Sequence, residues 1–139
     1  MARINDYGKM WPARNSPEGR PLCRYCDMEL QKPRRSWCSD KCRDMALIEL
    51  NPHGYRGIVI KYLGYKCFVC EVSLLQREKY GEVPWNAKVE IHHIVHVKNG
   101  GDNKIENLVG LCHDCHVHVH KLCRMVDKIL NESQGELML

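Results

Sequence analysis

A single phenylalanine stands among 139 residues, and aromatic side chains make up only 7% of the chain. An interior dominated by large rings is therefore excluded, and the 44% hydrophobic fraction is carried by aliphatic side chains and nine cysteines. Long apolar runs are missing as well. No stretch approaches the ~20 residues needed to span a bilayer, so no membrane association is expected. The first residues, Met-Ala-Arg-Ile-Asn-Asp, lack the apolar segment of a secretory signal. A cytoplasmic location is expected, and with it reduced thiols rather than a disulfide framework. The size suits one domain, or two very small modules sharing a core.

What is present is ordered. The cysteines fall as Cys23-x2-Cys26 and Cys38-x3-Cys42, then as Cys67-x2-Cys70 and Cys112-x2-Cys115, with Cys123 left over. Two residues between cysteines make a tight knuckle that points both sulfurs at one ion, about 2.3 Å away for zinc. Two knuckles close a tetrahedral shell, so eight cysteines predict two structural zinc sites. Cys123 reads as a buried helix thiol rather than a ligand.

The formal net charge is +4, which eight thiolates around two zinc ions would bring to about zero. The total therefore says little about a polyanionic partner, whereas its distribution says more. Residues 1–66 carry thirteen Lys/Arg against seven Asp/Glu, and 67–139 carry eight against ten. A basic N-terminal half beside a slightly acidic C-terminal half suits phosphate binding next to cation binding.

Along the chain, 1–21 reads as a basic extended arm bearing Arg3, Lys9, Arg14 and Arg20, broken by Pro12, Pro17, Gly19 and Pro21. Residues 22–52 form the first cysteine module and a helix that begins after Ser39 and stops before Pro52. A third segment, 53–131, opens with a helix over 55–63 ended by Gly64. A helical turn or two over 72–80, ended by Gly81, and a connection at Pro84 and Trp85 follow. The segment Lys88-Val-Glu-Ile-His-His-Ile-Val alternates as a strand, and Asn99-Gly-Gly-Asp-Asn signals a loop. Ile105–Leu111 leads into a second strand, 113–131 is the final helix, and 132–139, with Met138, is a tail.

The histidines cluster around these elements. On a helix over 113–131, His116 and His120 share one face at the spacing two imidazoles need for one divalent ion, with His113 on that side and His118 pointing away. Adjacent strand residues face opposite sides, so His92 and His93 divide, one toward the metal and the other free to handle a proton near neutral pH. The second cysteine site would clip strand and helix face to face.

Glu90-Ile-His-His-Ile, followed by Lys98-Asn-Gly-Gly-Asp-Asn-Lys-Ile-Glu-Asn-Leu-Val-Gly-Leu-Cys-His-Asp-Cys-His, resembles the HNH endonucleases over residues 67–121. The resemblance implies a small, zinc-stabilised α+β fold: a ββα-metal finger, with an N-terminal zinc module and connecting helices added. Position by position it implies His93 as general base and Asn107 as the group whose carbonyl orients it. His92, where the family often has Asp, would join His116 and His120 at the metal, a pattern similar to the nuclease colicins, whose Glu-x-His-His sequence Glu90 also matches. An all-nitrogen ligand set admits magnesium, manganese, nickel or zinc as the catalytic ion. The activity implied is hydrolysis of DNA, double-stranded most readily, to 5′-phosphate and 3′-hydroxyl ends, by a monomer or homodimer. Lys98 and Lys121 are candidate phosphate contacts. The first module, with Arg34, Arg35 and Trp37 between its knuckles, is similar to a cysteine cluster preceding HNH domains in some nucleases, an annealing-helicase family among them; these side chains would grip a backbone and stack on a base. The length suits a stand-alone phage or mobile-element enzyme. The competing expectation is a two-zinc DNA- or protein-binding adaptor that no longer cleaves.

Overall fold

The computed structural model describes residues 8–78, 81–84 and 89–137, the side chains of 76–78, 83–84 and 134–137 excepted. Arg3, Trp85, Lys88 and Met138 lie outside the described residues. The chain is a small α+β protein in which helices α1 (Asp40–Leu50) and α2 (Arg56–Leu63) precede two antiparallel hairpins. The first hairpin is β1 (Leu75–Glu78) with β2 (Gly81–Pro84); the second is β3 (Glu90–His93) with β4 (Leu108–Leu111), and helix α3 (His113–Leu137) closes the chain.

Local chemistry sets the helix boundaries. The Ser39 hydroxyl accepts the Cys42 amide at 3.2 Å and so caps α1, satisfying an N–H with no intrahelical partner. Gly64, at φ 93°, ends α2 in a backbone conformation that a side chain would resist. Asp44, on α1, is buried, yet it accepts from Tyr62 Oη (2.6 Å), Lys61 Nζ (3.1 Å) and Arg43 Nη2 (3.2 Å). Those donors tie α1 to α2 through one satisfied carboxylate.

The core gathers Met45 and Ile48 of α1, Val59 and Ile60 of α2, Leu74, and Ile91, Leu108 and Leu111 of the second hairpin. Gly110 leaves just enough room for Ile60, whose Cγ2 would lie 3.3 Å from an added Cβ. Cutting Ile48 or Ile60 back to alanine removes about 2–5 kcal/mol, a large share of the about 5–15 kcal/mol by which a domain is stable.

Three expectations change. Of the expected helical turn over 72–80, residues 79 and 80 lie outside the described residues and 72–78 do not form it: Leu75–Glu78 pairs with Gly81–Pro84, Leu75 opposite Pro84, so cross-strand pairing overrides the helix-forming Leu, Gln, Arg and Glu of this segment. Helix α3 continues past 131 to Leu137. The arm, in its described part, folds back: the Trp11 indole donates to Ala46 O at 3.2 Å and its ring lies 5.2 Å from Tyr25. Arg14 pairs with Asp27, and the Leu22 amide donates to Arg14 O at 2.9 Å.

Candidate metal centre

The cysteines form two clusters, Cys23/Cys26/Cys38/Cys42 and Cys67/Cys70/Cys112/Cys115, each with its sulfurs within 4.8 Å of one another. Cys26–Cys38 and Cys38–Cys42 are 3.5 Å apart and Cys70–Cys112 3.8 Å, beside the about 3.8 Å that four sulfurs around one zinc adopt. All nine cysteines are free of disulfides. Both clusters open with the same knuckle. The first cysteine donates to the carbonyl five residues on (Cys23 to Met28, Cys67 to Val72), and the amide four residues on returns to its carbonyl from a positive-φ residue, Asp27 or Glu71. Burial opposes ionisation of Cys23 and Cys67, but backbone amides (of Cys26, Cys38 and Tyr25, and of Cys70, Cys112 and Val69) outweigh it and bring each thiol down to about 6. Burial and its neighbours push Cys42 up to about 12, and the adjoining sulfurs of Cys112, Cys70 and Cys67, with burial, do the same to Cys115. In each cluster the first cysteine ionises readily while a neighbouring thiol holds its proton until a cation displaces it, and either cluster can hold zinc.

The second cluster sets the histidines. Cys112 directly follows β4 and Cys115 lies in the first turn of α3, which packs against β3. The structure brings His92, His116 and His120 together, with ligand nitrogens within 4.8 Å. His92 is buried, 4.9 Å from His120 and 5.6 Å from His116 between ring centroids. Burial, then the charges of His120, His116, His96 and His93, push it down to about 4, so it is neutral and able to ligate at physiological pH. The Glu90 carboxylate accepts from Nδ1 of His116 and from Nδ1 of His113, the latter at 2.6 Å. That bond fixes the His116 tautomer and directs Nε2 at Nε2 of His120, 2.9 Å away. A tetrahedral ion would hold two such nitrogens about 3.3 Å apart, a small opening. Three imidazoles, one oriented by a carboxylate, fit a divalent cation.

His93 faces elsewhere. Its Nε2 is 2.8 Å from Asn103 Oδ1, while Asn103 Nδ2 donates to Glu49 O at 3.0 Å. A carbonyl only accepts, so the amide orientation is set, Nε2 carries the hydrogen, and Nδ1 keeps its lone pair. His53, from the α1–α2 turn, lies 5.6 Å from His93 ring to ring.

Asn107 is not at the imidazole. Its Oδ1 accepts from Val95 N (2.8 Å), and its Nδ2 donates to Val95 O (3.0 Å) and Asp102 O (2.8 Å). It fastens the loop that leaves β3, and Asn103 occupies the orienting position the resemblance implied for Asn107. Gly101 makes the loop possible, since a Cβ there would fall 1.8 Å from Val95 O.

Cys123 is a helix thiol, half-buried rather than buried, beside His92 and His96 with ligand atoms again within 4.8 Å. Its signal was spacing: 116, 120 and 123 lie on one helical stripe. His96, His53 and Asn103 had no comparable pattern, because contacts between loops bring them in. Arg34, Arg35, Lys98 and Lys121 are exposed and Trp37 is half-buried. Arg20, Lys32, Arg34, Arg35 and Glu29 line a 790 Å³ concavity on the first cysteine module, where Glu29 pairs with Arg20 at 3.2 Å.

No described helix is long and apolar enough to cross a membrane. No curated protein and no solved structure matches the chain significantly. Residues 77–122, which run from the end of β1 through the β3–β4 pair and its loop to the first turns of α3, match the family model of the HNH endonucleases.

Proposed function

We propose that the protein is a metal-dependent DNA endonuclease or nickase in which His93 is the general base and His92, His116 and His120 hold the catalytic cation, while two structural zinc ions in the cysteine clusters brace the fold. The observation that carries this reading is the division of labour between adjacent histidines. His92 lies among the α3 imidazoles, whereas His93 is fixed by Asn103 with one nitrogen left to take a proton.

In this reading Nδ1 of His93 accepts the proton of the attacking water, and Nε2–H, bonded to Asn103, keeps the ring aligned as positive charge develops on it. Asn107 and Gly101 hold the loop that carries Asn103 toward β3. A divalent cation held by the three imidazoles supplies positive charge to the scissile phosphate and to the leaving 3′ oxygen. His92, kept neutral by burial, and His116, turned by Glu90, would hold that position. The basic concavity around Arg20, Lys32, Arg34 and Arg35 suits a phosphodiester backbone, and such contacts position the duplex without reading its sequence.

The test is cleavage of supercoiled plasmid by the full chain and by His93→Ala in magnesium, manganese, nickel and zinc. Metal-dependent nicking that falls by at least about 100-fold in the variant is expected. Plasmid left intact by the folded, zinc-loaded wild type in every metal would put the adaptor reading ahead.

A further inference from the structure

The three-histidine position does not use up the ligands gathered on this face. His96 caps the 3-10 turn Val97–Asn99 that follows β3, and its ring lies 5.3 Å from His92 and 5.8 Å from His120. Cys123 stands one helical turn beyond His120 on the same stripe of α3. His92, His96 and Cys123 place their ligand atoms within 4.8 Å of one another.

We infer that His92, His96 and Cys123 form a second metal position, selective for soft divalent ions such as zinc, which overlaps the three-histidine position and competes with it for His92. A neutral imidazole coordinates one ion through its single lone pair, so His92 serves one position at a time. Two imidazoles and a thiolate suit zinc and cobalt, whereas magnesium and manganese prefer oxygen and gain little from sulfur. An ion at the second position leaves the first with only His116 and His120. The protein would thus be silenced by excess soft metal and remain active with hard ones. Three protein ligands leave a fourth position for water, as in open zinc sites. On binding, Cys123 gives up its proton to solvent and no redox change occurs.

The silencing rests on the endonuclease reading; the metal position does not. Two measurements separate them. With both four-cysteine clusters zinc-loaded, and their zinc content checked by atomic spectroscopy after each addition, cobalt is titrated into wild type, Cys123→Ser, Cys123→Ala, His96→Gln and His116→Ala. A sulfur-to-cobalt charge-transfer band is expected in wild type and in His116→Ala, absent from both Cys123 variants and weakened in His96→Gln. In parallel, zinc is titrated into manganese-supported plasmid nicking, each protein being referred to its own rate without zinc. The half-inhibiting zinc concentration should rise at least about tenfold in Cys123→Ser. A band that survives in both Cys123 variants, or no band in wild type, overturns the second position even if nicking is normal. A band that follows Cys123 in a protein that nicks nothing upholds the position and sinks the endonuclease reading instead.

Discussion

Asn103 and Glu90 do for their histidines what a neighbouring hydrogen-bond partner does in many metal and acid–base sites: each selects a tautomer. Asn103 is aimed by the Glu49 carbonyl, so Asn103→Ala should leave zinc content unchanged, lower kcat for nicking about tenfold and shift its pH profile, while Asn103→Asp restores part of the rate. An effect on thermal stability alone, with kcat and pH profile intact, would reduce Asn103 to packing. Glu90 is held below the usual carboxylate range: burial raises it, but the His113 and His116 bonds prevail. Glu90→Gln is expected to weaken binding of a divalent ion at His92, His116 and His120 by about 10–100-fold, read by metal titration. Among these residues the sequence disclosed the ones tied to a period or a spacing. His116 and His120 follow from helix geometry, and the division between His92 and His93 follows from strand alternation. Asn103 did not, because what brings it to His93 is a bond to a residue 54 positions away.

At the scale of elements, the knuckles were the most legible feature, since two-residue spacing dictates their turn regardless of what surrounds them. Their shared hydrogen bonds and their positive-φ residues, Asp27 and Glu71, repeat the same local solution twice. The segment from Leu75 to Glu78 was misread for the opposite reason: its helix-forming side chains are overruled by the partner strand that begins at Gly81. The pairing of α1 with α2 hangs on Asp44, a single acid in a run that looks merely polar. Burial raises its pKa, yet Tyr62, Lys61 and Arg43 bring it below the ordinary carboxylate range. Its contribution is therefore complete above that range and lost as pH falls through the lowered value. Asp44→Ala should destabilise by about 2 kcal/mol, measured by urea denaturation at neutral pH. A change within the error of the midpoint would show that the half-exposed Lys61 and Arg43 re-solvate freely.

For the molecule as a whole, zinc held in the cysteine clusters would match the net margin of stability. A structural zinc contributes about 10–16 kcal/mol in small thiolate domains, as much as the entire margin of a typical domain. A strong chelator should therefore unfold the chain at room temperature, seen as loss of far-ultraviolet circular dichroism and recovered on adding zinc; a chelated protein that keeps its helical signal would show that the aliphatic core suffices. A hydrogen bond also crosses between the modules: Tyr25, inside the first knuckle, donates to Glu49 of the same module at 2.8 Å, and the carbonyl of that Glu49 accepts from Asn103 of the second at 3.0 Å.

The distribution of the core sets a limit on portability. Of the eleven residues in the buried cluster, five (Val89, Ile91, Leu108, Leu111 and Cys112) lie within 77–122; the rest come from α1, α2 and the second knuckle with the Leu74 that follows it. A gene fragment cut along the family boundary would carry away the histidines without the wall they lean on, and without Cys67 and Cys70. Recombination that moves this chemistry to a new protein would have to carry the stretch from the first knuckle through α3 as one block.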